Sequence, residues 1–82
     1  MSDDISKTLL ASLIVERIKR EPDPATWLIT ARRIVEWSGM KPERCMALPS
    51  TLDTLAWNIA DEARKQGDHC MRRLAKACEV ET

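Results

Sequence analysis

The sequence predicts an all-α fold, a compact four- to five-helix bundle, and three observations predict it. Tyr and Phe are absent. Ala, Leu, Arg, Lys and Glu, which favour helix, are abundant. The two glycines and four prolines fall between periodic segments rather than inside them. With 82 residues the chain makes a single domain, 1–82.

The first helix is expected from about Ile5 to Arg20, with Ser2, Asp3 or Asp4 as its N-cap. Acidic residues at its start and Arg17, Lys19 and Arg20 at its end suit the helix dipole. Ile5, Leu9, Leu10, Leu13, Ile14 and Ile18 make a wide apolar face, and Val15 widens it further. A helix this apolar is expected to touch more than one neighbour, or a second copy of the chain. Glu21-Pro22-Asp23-Pro24 is a rigid break, with Asp23 suited to N-cap and Pro24 to the first helical position.

The second helix is expected from about Ala25 to Ser38. Leu28, Ala31, Ile34 and Val35 face the core, and Arg32 and Arg33 point away. Gly39 ends it in a left-handed conformation. A short third helix starts at Pro42, runs to about Leu48 and is stopped by Pro49. Ser50, with Asp53 three residues on, caps a fourth helix whose buried stripe is Leu52, Leu55, Ala56, Ile59 and Ala63. Gly67 ends that helix. Asp68 caps a fifth, in which Met71, Leu74, Ala75 and Cys78 share a face.

Composition bounds function. Thirteen basic and 13 acidic residues cancel, which argues against a non-specific nucleic-acid coat protein but leaves room for a binder with its positive charge on one face. The acidic start, Met-Ser-Asp-Asp, is unlike a secretion signal, and the apolar run near it is too short to span a bilayer. Three cysteines without zinc-pair spacing read as free thiols in a reducing, cytoplasmic setting, with no membrane partner.

Two helices joined through a glycine turn make the shape of a helix-turn-helix, in which the first braces a second that enters the DNA major groove. Over residues 31 to 50 the chain resembles the helix-turn-helix family of repressors. Ile34 and Val35 match the family's buried positions in the first helix, Gly39 its turn glycine and Met40 the apolar residue after it. Cys45 and Leu48 match buried positions of the recognition helix. The resemblance implies that Lys41, Pro42, Glu43, Met46, Ala47 and Ser50 contact DNA, with Arg44 beside them. Val35 stands where the family has alanine, Ser38 is polar where an apolar residue is common, and Pro49 cuts the recognition helix to about two turns. Aligned on Gly67 instead, the pattern fails, because Glu62, Asp68 and Arg73 fall on apolar positions. The same stretch also fits a plain helix C-cap followed by a packing turn.

Arg32, Arg33, Lys41 and Arg44 outnumber Glu36 and Glu43 within residues 31 to 44. Arg64, Lys65, Arg72, Arg73 and Lys76 face only Asp68 within residues 64 to 76, with His69 beside them. If both clusters share one face they grip phosphates either side of the groove. Arg64 and Lys65 read better as a solvated helix face, and Arg72 and Arg73 stay open between the two roles.

His69, Cys70 and Cys78 do not match zinc spacing, and neighbouring His69 and Cys70 point about 100° apart on a helix, too divergent for a nucleophile pair. There is no Gly-rich phosphate loop. No catalysis and no cofactor are expected. Trp27, Trp37 and Trp57 are expected to fill core volume. Trp37, off the Leu28–Ala31–Val35 stripe, packs on the fourth or fifth helix or joins a dimer contact.

These features lead to a sequence-specific repressor that binds a double-stranded, inverted-repeat operator as a homodimer, since one short recognition helix reads few base pairs. Its dimer surface is expected on the first helix or on the fifth, through Met71 and Leu74. The size, neutral charge and single motif resemble the small repressors of plasmids and phages, which implies silencing of plasmid maintenance genes at their promoters. The alternative is a small protein-binding module, such as a phage inhibitor of a host complex, favoured by the neutral charge and the broad apolar first helix.

Overall fold

Leu10, Ile14, Leu55, Ile59 and Leu74 have no exposed surface, and they come from three helices that meet along one core. The computed structural model describes residues 6–21, 23, 26–46 and 51–79. Among these, five helices follow in order: α1 (Lys7–Lys19), α2 (Trp27–Trp37), α3 (Pro42–Cys45), α4 (Leu52–Gln66) and α5 (Asp68–Glu79). The all-α bundle is therefore present. Helix α1 lies against α4, α5 and α2, as its broad apolar face requires, and α3 bridges α2 and α4. The Cα radius of gyration, 11.5 Å, is that of a fully collapsed chain of this length, about 12 Å.

Helix α4 turns Leu55, Ala56, Ile59 and Ala63 inward as the periodicity predicts, adds Ala60 and Glu62 to that face, and leaves the expected Leu52 half-buried, while α5 turns Met71, Leu74, Ala75 and Cys78 inward as predicted. Alanines at these crossings let the helices approach closely. That closeness excludes large rings, and the tryptophans do not fill the core. Trp37 is 50% and Trp57 43% exposed, and Trp27 packs only partly against the core. Two aliphatic assignments also change. Leu9 and Leu28 are exposed, while Thr30 takes the inward place beside Ala31 that Leu28 was expected to hold.

The helix starts differ from expectation, and a hydroxyl accepting a backbone N–H closes two of them, α1 and α4. Ser6 caps α1, its Oγ accepting from the Leu9 N–H at 3.0 Å. The expected caps Ser2, Asp3 and Asp4 lie outside the described residues. Helix α2 begins at Trp27, later than expected. Thr26 precedes it, donating through both N and Oγ1 to the Asp23 carbonyl at 3.0 and 2.7 Å, so Asp23 makes a turn before the helix instead of its cap. Thr51 caps α4 through Oγ1, which accepts from the Thr54 N–H at 3.1 Å. Ser50, the expected cap, lies outside the described residues.

Gly67 alone separates α4 from α5, at φ 115° and ψ 175°. Its N–H donates to Ala63 and Arg64, and its carbonyl accepts from Met71 N, so Gly67 holds the capping place of α5 and Asp68 is the first helical residue. The Asp68 carboxylate still sits at the positive end of the helix dipole.

Arg17 is the unexpected core neighbour. It follows Ile14 by three positions, so the face that buries Ile14 and Ile18 buries it too. Its Nη1 pairs with Glu21 Oε1 at 3.0 Å. At the other end of α1, Lys7 bridges α1 to α4, reaching Asp61 Oδ1 at 3.2 Å and lying 4.8 Å from the Trp57 ring centroid. Among the described residues no helix is long and apolar enough to cross a membrane.

Candidate nucleic-acid interface

The corner at Gly39 is built from backbone hydrogen bonds that only a positive φ allows. Gly39, at φ 91°, donates to the Glu36 carbonyl at 3.0 Å, and Met40 N donates to the Val35 carbonyl at 3.1 Å. This pair of bonds is the Schellman closure of a helix, completed by burial of Met40 alongside Val35. Ser38, buried, turns its hydroxyl back to donate to the Val35 carbonyl at 2.7 Å. The polar residue that departs from the family pattern is thus satisfied within its own helix.

After the turn, Lys41 is extended at φ −92° and ψ 121°, as the residue before a proline must be. Pro42 then starts α3. The described helix is one turn, Pro42–Cys45, with Met46 as C-cap donating to the Pro42 carbonyl at 2.8 Å. It is shorter than the expected run to Leu48, because Met46 at φ −112° has already left helical geometry. Cys45 is buried and anchors the turn, Pro42 and Met46 are half-buried, and Lys41, Glu43 and Arg44 are exposed. Ala47 and Ser50, two of the expected contacts, lie outside the described residues, as do Leu48 and Pro49.

Arg73 of α5 clamps this corner. Its Nη2 donates to the Trp37 carbonyl at 2.9 Å, satisfying an acceptor left open at the end of α2. Its guanidinium lies 5.8 Å from the Trp37 ring centroid, and its Nη1 comes within 3.5 Å of where a Cβ on Gly39 would stand. Cys70 adds a longer contact, Sγ donating to the Ser38 carbonyl at 3.9 Å. Of the two arginines left open by the sequence, Arg73 is a structural tie. Arg72 is exposed. Trp37 accordingly meets the fifth helix, through a cation rather than through the core.

The remaining cations divide. Arg32 is exposed and paired with Glu36 at 3.7 Å. Arg33 is exposed with no ion-pair partner among the described residues. Arg44 borders a groove of about 290 Å³ together with Asn58, Asp61, Glu62 and Lys65. Two carboxylates of α4 thus border the same groove as Arg44. Lys7 and Lys65 hold the Asp61 carboxyl below its ordinary range, chiefly through the hydrogen bond from Lys7. Sequence reasoning missed this acidic neighbour, since nothing in the spacing of residues 41–44 shows which side of α4 they meet.

The thiols are not poised for chemistry. Burial pushes Cys45 and Cys78 up to about 11, so both stay protonated at neutral pH. Cys70 is raised too, chiefly by burial, with Arg73 pulling the other way. His69 is exposed. Among the described residues no group of three or more His, Cys, Asp or Glu side chains is placed to hold a metal ion.

No family model, curated protein or solved structure matches the chain.

Proposed function

We propose that this chain is a DNA-binding repressor that acts as a homodimer on an inverted-repeat operator. One observation carries the reading: the Gly39 closure presents a proline-led turn whose Lys41, Glu43 and Arg44 face solvent while Cys45 pins it to the body. One turn is about 6 Å long, so only the leading end of α3 reaches base edges. Few base contacts mean that phosphate contacts and a second copy must supply most of the affinity. Arg33 and Arg72 are exposed and suited to phosphate. Met71 and Leu74 are buried in the chain's own core, so the expected dimer surface on the fifth helix is withdrawn; Leu9 of α1 is exposed and fits the other expected surface.

The reading is tested by fluorescence anisotropy with duplexes tiled across the DNA flanking the gene, over a range of salt. One duplex is expected to bind preferentially, with affinity falling steeply as salt rises. Lys41→Ala with Arg44→Ala weakens binding and lowers the salt slope by about 1 for each phosphate left without its cation, with unchanged far-UV dichroism. Equal binding to every duplex, or no effect of the double variant, would sink the proposal.

A second reading, a small module that binds another protein, is favoured by the large apolar side chains left in solvent: Leu9, Leu28, Ile29, Trp37 and Trp57. Such a module ignores DNA and loses its partner when Leu28 and Ile29 are replaced by polar residues.

A further inference from the structure

A cleft of about 570 Å³ lies where α1, α2 and α5 come together, lined by Ile34, Trp37 and Ala77 on its apolar walls and by Arg17 and Arg33. Two carboxylates, Glu21 and Glu36, also border it, and both are already engaged. Glu21 accepts from Arg17 at 3.0 Å, and Glu36 pairs with Arg32 at 3.7 Å. Arg33 is left as the lining charge with no partner among the described residues. Arg17 supplies a second, independent sign. Its side chain is nine-tenths buried, and its Nε has no hydrogen-bond partner. A buried donor without an acceptor is costly, and such groups mark places where an acceptor is missing.

We propose that this cleft binds a small aromatic carboxylic acid. The carboxylate meets the Arg33 guanidinium, and the ring lies against Trp37, Ile34 and Ala77. The volume falls within the range of small-molecule sites, roughly 300–1,000 Å³. The guanidinium fork suits a planar carboxylate, and Glu21 and Glu36 each already face a cation other than Arg33. Arg73 holds the Trp37 main chain through its carbonyl and lies 5.8 Å from the ring centroid, which limits the ordering left to be done on binding. Arg17 Nε, shut from solvent and without an acceptor, is a second donor on a residue that lines the same cleft.

The proposal does not depend on the nucleic-acid reading, and its test contains no DNA. The full chain is titrated with 1-naphthoate and, separately, with the neutral 1-naphthamide, followed by ¹H–¹⁵N NMR. The Trp37 indole resonance is identified by its loss in Trp37→Phe. Naphthoate is expected to shift the Trp37 indole and the Arg17 Nε–H saturably, leaving Trp57 unmoved. Naphthamide binds roughly tenfold more weakly, and Arg33→Gln brings naphthoate down to the amide's affinity. The proposal is overturned by any of three results: no saturation below about 5 mM, equal affinity for acid and amide, or shifts centred on Trp57.

Discussion

Gly67 and Gly39 both sit at positive φ, yet alanine at the two positions is expected to cost different amounts, and the difference tests how the bundle is stitched together. At Gly67 the backbone has φ 115° with ψ 175°, a region open essentially to glycine alone. An added Cβ there meets nothing within 4 Å, so the penalty is backbone strain without steric collision. Strain of that kind costs about 1–3 kcal/mol. Alanine also restricts the unfolded chain, which returns about 0.4–1 kcal/mol. The net loss for Gly67→Ala is thus about 1–2 kcal/mol. At Gly39, φ 91° lies in the left-handed region, where alanine costs about 1–2 kcal/mol before the same offset. The added Cβ comes to 3.5 Å from Arg73 Nη1, an ordinary approach to the end of a flexible side chain. Gly39→Ala is therefore expected to lose about 0.5–1 kcal/mol, and Gly39→Asn less, because asparagine tolerates positive φ.

Urea unfolding followed by far-UV dichroism reads these differences as midpoint shifts at constant slope. Calorimetry is expected to show the melting temperature of Gly67→Ala reduced by roughly 5–15 °C for a domain of this size. A Gly67→Ala variant as stable as the parent, or more stable than Gly39→Ala, refutes the reasoning, because the one-residue joint between α4 and α5 would then not require glycine.

The core and the thiols supply further expectations. Leu74→Ala and Ile59→Ala remove fully buried side chains and should each cost about 2–5 kcal/mol, whereas Leu28→Ala should stay within about 0.5 kcal/mol; denaturant midpoints for the three decide it, and a costly Leu28→Ala would mean that α2 is rotated from the orientation described. Because Cys45 and Cys78 are held at about 11 against an ordinary 9.0, the unfolded chain loses these protons first as pH rises. Their contribution is complete below about pH 9 and lost between about 9 and 11, so stability should fall over that window and fall less in Cys45→Ala with Cys78→Ala, compared as slopes against pH. Iodoacetamide at mild pH should label the half-buried Cys70 first, and rapid labelling of Cys78 would contradict its burial.

How far the site could be read in advance follows from what each residue's neighbours are. Gly39, Pro42 and the exposure of Lys41, Glu43 and Arg44 were legible, because turn chemistry and helical phase are local properties. The length of α3 was not, since Met46 leaves the helix before the proline that was expected to stop it. Arg73 was visible only as an undecided cation, and its bond to the Trp37 carbonyl joins residues 36 positions apart. Arg44 looked like one of four cations around a turn, and its nearness to Asp61 and Glu62 depends on how α3 is laid on α4.

By itself, then, the sequence determined the all-α class and the order of the helices, the glycine corners between them, and most of the inward faces of α4 and α5, where a narrow apolar stripe limits the ways to pack. Tertiary structure decided what a wide or mixed face does. It chose Leu10 over Leu9 and Thr30 over Leu28, left Trp37 and Trp57 in solvent, and drew Arg17 into the core. The physical reason is that periodicity fixes the angle between side chains on one helix, while burial also depends on how closely alanine-lined neighbours approach, and that distance is a property of the assembled bundle.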